Sequence, residues 1–253
     1  MNHTIFFPAM TVLIYMVLMW LLALRLKDNS IVDIGWGMAF VLICGTYLVM
    51  MPQVTSGQWL MFMVVTIWAV RLSGYIWLRN RGKGEDFRYA AWRKDWGRHV
   101  VWRSLLQVFM LQGAIMLVVA TPLHAVFQGT SQALSPSMLI GSLLAMAGIA
   151  IEAVADAQMM RYKSDSANKG RIMQNGLWRY SRHPNYFGEA VTWWGLGIMA
   201  LPTWWGAIGP VVITWLLLRV SGVTMLERKY EGNPEYSDYT KRTNAFLPWW
   251  PKG

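Results

Sequence analysis

Apolar stretches of near twenty residues recur along the whole chain: Ile5–Leu24, Ile31–Met51, Trp59–Leu78, Val101–Leu123, Met138–Met160, Phe187–Leu201 and Trp204–Gly222. A helix rises about 1.5 Å per residue, so roughly 20 apolar residues cross the ~30 Å hydrocarbon core of a bilayer. Lipid offers the backbone no hydrogen bonds, so such stretches must satisfy their own amides and carbonyls as helix. The balance of residues agrees. Only 14% of the 253 residues are charged and 55% are hydrophobic, where a soluble domain carries roughly 25% charge. The expectation is an all-α, multi-pass integral membrane protein with about seven transmembrane helices. It forms a single polytopic domain over residues 1–253, in the inner (plasma) membrane if the source is bacterial.

The first stretch runs into "LRLKDNS" without a small-residue cleavage pattern, so it reads as a retained helix and not a signal peptide. The single cysteine, Cys44, lies inside the second stretch and has no partner for an intrachain disulfide. Basic residues gather in alternate connections: "RLKDNS", "RNRGKGEDFRYAAWRKDWGRHVVWR", "RYKSDSANKGRIMQNGLWRYSRH" and the C-terminal tail. "PQVTSGQ", "TPLHAVFQGTSQALSPS" and "LPT" carry none. The positive-inside rule then puts the basic set in the cytoplasm, with the N-terminus outside and the C-terminus cytoplasmic. The net charge of +10 is on this reading a signal of topology, and no nucleic-acid partner is expected.

Ionisable groups inside spans are costly and by default mark function. Asp33, Arg71, Glu152, Asp156 and Glu189 all fall within a turn or two of the cytoplasmic ends of their stretches, which suggests a polar cavity open to the cytoplasm. The stretch "GLWRYSRHPNYFGEAVTWW" sharpens that idea. Pro184 suits a first helical turn, so a helix should start near His183–Pro184. Its free N–H groups, with Arg179, Arg182 and His183 just before them, suit an anion such as phosphate. Asn185 and Glu189 are four apart and share a helical face. An interfacial anchor of Arg and Tyr is the plainer alternative.

Other chemistries find no support. There is no G-x-G-x-x-G or G-x-x-x-x-G-K-[ST] motif. No histidine pairs with another histidine or with cysteine at metal-ligand spacing, so no metal site is expected. No serine has the surroundings of a hydrolase nucleophile.

"NGLWRYSRHPNYFGE" resembles the C-terminal signature of the steroid 5α-reductase superfamily, and most closely its bacterial branch, DUF1295. "IEAVADAQMMRYK", "WAVRLSGYIWLRNRGKGEDFRY" and "LERKYEGNPEYSDYTKRTNAFLPW" resemble the same branch. The resemblance implies a membrane reductase that uses NADPH to reduce a C=C bond conjugated with a ketone, in a steroid-like or other lipophilic enone entering from the bilayer. Carried over by position, Asp156, Arg171, Arg179, Tyr180, Arg182, His183, Asn185, Glu189 and Tyr239 would contact the cofactor. Arg71, Arg79, Asp86, Arg88 and Tyr89 would join them. In the eukaryotic reductases a glutamate and a tyrosine polarise the ketone; here Asp33 is the nearest acid, and Trp68 or Tyr75 stands where the tyrosine is sought. R-H-P-x-Y also occurs in membrane methyltransferases of the isoprenylcysteine and phospholipid types, so an S-adenosylmethionine-dependent enzyme is the alternative. A non-enzymatic lipid-binding or assembly protein is the third reading. Membrane lipid is an expected partner, and no obligate protein partner is evident.

Overall fold

Each apolar stretch is helical in the computed structural model, which describes residues 5–129, 134–220, 222–228 and 230–252 and has no strand among them. The α-helices are α1 (Phe6–Leu26), α2 (Ile31–Met50), α3 (Ser56–Asn80), α4 (Phe87–Trp96), α5 (Val100–Ser104), α6 (Leu111–Val119), α7 (Thr121–Gln128), α8 (Pro136–Ser164), α9 (Pro184–Met199), α10 (Ile208–Trp215), α11 (Val223–Arg228) and α12 (Pro234–Arg242). Six runs are long and apolar enough to cross a membrane: Phe6–Leu26, Ile31–Met50, Ser56–Asn80, Phe87–Val119, Pro136–Ser164 and Trp204–Arg228. The all-α membrane architecture is therefore as expected. The expected sixth span is the exception. As α9 it has 16 residues, about 24 Å of helix against a hydrocarbon core of roughly 30 Å. Ten of those residues are buried, so α9 draws its stability from protein contacts more than from lipid.

The chain divides into two compact units, Met1–Ser135 with Pro202–Gly206, and Pro136–Leu201 with Ala207–Gly253. In the first unit, α1 ends on Lys27 in the left-handed conformation (φ 55°), and a short polar turn leads into α2. α3 opens on a capping box, Thr55 and Gln58 each accepting from the other's backbone N–H. α2 and α3 touch through small residues: a Cβ on Gly37 would stand 2.9 Å from the Ala69 Cα. Around this seam Val32, Phe40, Ile43, Met61, Val65 and Trp68 are fully buried.

The uncharged connection after the fourth stretch contains α7, and residues 130–133 lie outside the described set. Here a buried polar chain forms. Gln128 Nε2 donates to the Tyr47 hydroxyl at 3.2 Å, and that hydroxyl lies 2.8 Å from His124 Nδ1. His124 Nε2 lies 3.2 Å from the Leu117 carbonyl. A carbonyl only accepts, so Nε2 carries the proton and Nδ1 accepts from Tyr47. Burial lowers the His124 pKa to about 4, with the Leu117 bond opposing.

The second unit is organised by α8 and α9, which run antiparallel. Gly141 and Gly148 on α8 meet Gly188, Thr192 and Gly195 on α9. A Cβ on Gly148 would lie 2.5 Å from the Thr192 amide N and 2.6 Å from the Gly188 carbonyl. One on Gly141 would lie 2.6 Å from the Gly195 carbonyl. Both glycine pairs are seven apart, two helical turns, so each forms a stripe on one face. Lipid provides no hydrophobic drive for helices to associate, and such stripes let backbones approach for dispersion contacts instead.

Two outcomes follow from these contacts. Gly148→Val should lower the melting temperature of the purified protein, by the equivalent of about 1–3 kcal/mol of overpacking, whereas Gly74→Ala, with nothing within 4 Å, should not. Because His124 is neutral when folded and protonates more readily when unfolded, stability should fall as pH drops from 6.5 toward 4. The slope should reach roughly 1.4 kcal/mol per pH unit, and His124→Gln should flatten that part of it in melts across the same range.

Candidate functional site

In the first unit the loop after α3 is bolted to the start of α2. Gly82 (φ 76°) and Gly84 (φ 74°) occupy the left-handed region that glycine adopts without strain, and they turn the chain so that Glu85 and Asp86 face back. Glu85 takes Arg93 through both oxygens, at 2.8 and 2.9 Å, and accepts the Asn29 backbone N–H at 2.7 Å. Asp86 caps α4, accepting from the Arg88 backbone at 3.1 Å and from Arg88 Nε at 2.8 Å. Burial opposes charge on Asp86, but the Arg88 hydrogen bonds and guanidinium outweigh it and hold the carboxyl below its usual range.

Arg88 also donates to Asp33 Oδ2 at 2.8 Å, and the Tyr89 hydroxyl donates to Asp33 Oδ1 at 2.7 Å. Gln112 in turn donates to the Tyr89 hydroxyl at 3.2 Å. Asp33, Asp86, Arg88 and Tyr89 thus form one network, across the division between expected catalytic and expected cofactor residues. Each Asp33 oxygen already holds a donor, and the Tyr89 proton is committed to it. The arrangement fits a brace between α2 and α4 better than a free acid.

Along α3, Trp68 is fully buried and packs edge-on against Phe40 at 5.7 Å, a core position. The Arg79 guanidinium sits over the Tyr75 ring at 5.6 Å, and its Nε donates to Asn80 at 3.2 Å. Arg71 is half-buried one turn before Tyr75.

In the second unit α9 begins at Pro184 with His183 as its cap, where the sequence places it. Three carboxylates gather at this end of the glycine seam: Glu152 and Asp156 on α8, each 3% exposed, and Glu189 on α9, 8% exposed. The Gly188 backbone lies against Glu152; a Cβ there would be 2.7 Å from the Glu152 N. Asn185 donates to Asp156 Oδ1 at 3.4 Å, while its carbonyl oxygen Oδ1 is buried with no hydrogen-bond partner. Asp156 and Asn185 are therefore brought together, and Glu189 follows Asn185 by one turn on the same face of α9, as their four-residue spacing implies.

Arg182 and His183 are directed elsewhere. Arg182 grips Glu227 through Nε at 2.9 Å and Nη2 at 2.8 Å, and donates through Nη1 to the Thr243 carbonyl at 2.5 Å. His183 Nε2 lies 3.1 Å from the same Glu227 oxygen, and its ring stacks on Tyr186. Tyr239, 3% exposed, donates to the Trp178 carbonyl. Burial pushes its phenol up, so it stays protonated as a donor. These three residues tie the tail to the segment before α9. Arg171 and Arg179 are exposed cations of the same unit, and Tyr180 lines an apolar cavity.

Glu227 is the residue sequence reasoning missed. It lies 45 positions after Arg182, beyond any local pattern. The glycine spacing that seats α8 on α9 was legible but went unread. Among the described residues no group of His, Cys, Asp or Glu is arranged to hold a metal ion.

The sequence has relatives. The family model described as protein of unknown function, DUF1295, matches residues 19–243, and the chain belongs to that family, which lies in the steroid 5-alpha-reductase superfamily. An uncharacterised protein of Schizosaccharomyces pombe is 26% identical over 219 residues, covering 75% of this chain and 62% of that protein. The steroid 5-alpha-reductase DET2 of Arabidopsis thaliana is 33% identical over 72 residues, 28% of this chain and 26% of the enzyme. The chain thus spans less than two thirds of either relative. No solved structure matches it.

The Arg182 contacts generate a prediction. Arg182→Ala should destabilise the protein by about 2–4 kcal/mol, since it strands Glu227 and the Thr243 carbonyl. Amide exchange over residues 239–246 should rise with it. Arg179→Ala should do neither.

Proposed function

We propose that this chain is an NADPH-dependent membrane reductase acting on a C=C bond conjugated with a ketone in a steroid-like or other lipophilic enone. The observation that carries the reading is the polar end of the α8–α9 pair. There, in a chain related to a steroid reductase, Asn185 presents a buried carbonyl oxygen with no hydrogen-bond partner beside the buried carboxylates of Asp156 and Glu189. A lone buried acceptor costs about 1–3 kcal/mol, and a carboxamide N–H would relieve that cost. A nicotinamide offers such a group and, when bound, supplies the hydride for the β-carbon of the enone, whose α-carbon then takes a proton.

The protein's part is orientation. Asn185 Oδ1 accepts from the carboxamide, and Asp156 fixes the Asn185 amide through its hydrogen bond. Glu189, one turn along α9, adds a second acceptor on the same face. The phosphates fall to Arg171 and Arg179 at the surface, since the Arg182 guanidinium is spent on Glu227 and the tail. The basic connections face the cytoplasm in this reading, which suits a cytosolic nucleotide.

NADPH should raise the melting temperature of the purified protein and bind about tenfold tighter than NADH, roughly 1.4 kcal/mol. Arg179→Ala should weaken NADPH binding roughly fivefold, the loss of one exposed charge pair. Glu189→Gln should retain binding and lower enone turnover by about 10²-fold, as for a misplaced reactant. Stabilisation by S-adenosylmethionine with neither nucleotide bound would overturn the proposal in favour of a methyltransferase.

A further inference from the structure

The tail closing on Arg182 presents an ordered apolar surface of its own. Leu247, Trp249 and Trp250 are 63, 67 and 74% exposed, yet their backbone is held. The Trp249 N–H donates to the Tyr180 carbonyl at 2.9 Å, and the Lys252 N–H donates to the Arg242 carbonyl at 2.9 Å. The Trp250 ring stands edge-on to Tyr180 at 5.4 Å, and Phe246 stands edge-on to Phe187 at 5.8 Å. The same segment helps wall an apolar cavity of about 370 Å³, formed by Ile151, Leu177, Tyr180, Pro184, Phe187 and Pro248. Ile151 belongs to α8, a helix long and apolar enough to cross a membrane, so the cavity lies between that helix and the tail.

Charge identifies the occupant. From Tyr239 to Lys252 the chain carries Lys241, Arg242 and Lys252 and no acid. Lys241 is paired with Asp238 at 2.8 Å. Arg242 donates to Gln174 at 3.2 Å and to the Asp238 backbone carbonyl, so Lys241 and Arg242 share the one carboxylate of Asp238 and, with Lys252, leave this face net positive. Cations beside exposed tryptophans form the combination that sits at the boundary of an anionic leaflet, where indole rings settle at headgroup depth. An apolar cavity at that boundary has the right chemistry for a hydrocarbon chain.

We propose that this face seats one anionic phospholipid. Its acyl chain occupies the Ile151–Phe187–Pro248 cavity, and its headgroup lies against Arg242 and Lys252 with Trp249 and Trp250 at the interface. The lipid holds the tail over the segment that precedes α9. This does not rest on the cofactor reading.

The test uses the full chain in phosphatidylcholine nanodiscs containing phosphatidylglycerol with a photoreactive acyl chain, adducts being mapped by mass spectrometry. Adducts should concentrate on peptides spanning 177–187 and 246–250. Unlabelled phosphatidylglycerol should compete them away at least fivefold better than phosphatidylcholine, about the gain per basic residue at an anionic surface. Trp249→Ala with Trp250→Ala should cut labelling there at least fivefold with an unchanged melting temperature. Arg242→Gln with Lys252→Gln should abolish the preference for the anionic lipid. Equal competition by both lipids, adducts confined to other helices, or labelling unaffected by the tryptophan pair would overturn the proposal. Crosslinks between two copies of the tail would likewise assign the face to a second chain.

Discussion

The close approach of α8 and α9 is the constraint on which the second unit depends. Where Gly148 meets Gly188 and Thr192, no side chain larger than hydrogen fits without backbone movement. Helices embedded in lipid gain nothing from hiding apolar surface from water, so their association rests on such contacts. The seam places Glu152 and Asp156 beside Asn185 and Glu189 at one end of the pair. It also explains how α9 persists at 16 residues, for most of its surface is against protein.

Burying three carboxylates at the end of that seam opposes folding unless each is paired or protonated. Beside them the Asn185 carbonyl oxygen is buried without a hydrogen-bond partner. The Arg182–Glu227 grip and the Tyr239 hydrogen bond serve a different end. They hold the tail and the segment before α9 as one piece, so that the helix N-terminus at Pro184 is fixed in place. The bracing residues and the proposed binding residues are interleaved in sequence: Arg182 and His183 hold Glu227, while Asn185 and Glu189 lie at the polar end of the α8–α9 pair and are the residues proposed to meet the cofactor.

That interleaving marks the limit of what the sequence could convey. Hydropathy and the loop charges were sufficient for the membrane class, the helical content and most helix positions, since each depends on composition over a window of residues. Pro184 and the four-residue spacing of Asn185 and Glu189 were local signals and were read correctly as a helix start and a shared face. Arg182 was read as a phosphate ligand because an arginine before a helix N-terminus suits one; its partner Glu227 lies in another helix, and no local pattern announces it. Asp33 is the nearest acid to the position the resemblance points to, and its hydrogen-bond donors Arg88 and Tyr89 lie 55 and 56 positions away, beyond any local pattern. Trp68 shows the same limit, since an aromatic at helical spacing looks alike in a site and in a core. The shortness of α9 was visible; that it leans on α8 could be inferred only by reading the glycines at 141, 148, 188 and 195 together.

The central claim is that the α8–α9 end orients a reduced nicotinamide toward an enone drawn from the bilayer. The most direct measurement is isotope transfer. The purified chain, reconstituted in lipid, is given NADPH deuterated at the transferable position and a lipophilic enone such as a 3-oxo-4-ene steroid. The account predicts a saturated ketone carrying one deuterium at the former β-carbon, formed by the wild type and lost in Asn185→Ala, whose folded state is checked by its melting temperature. Product lacking deuterium, or label transferred equally by Asn185→Ala, would contradict it.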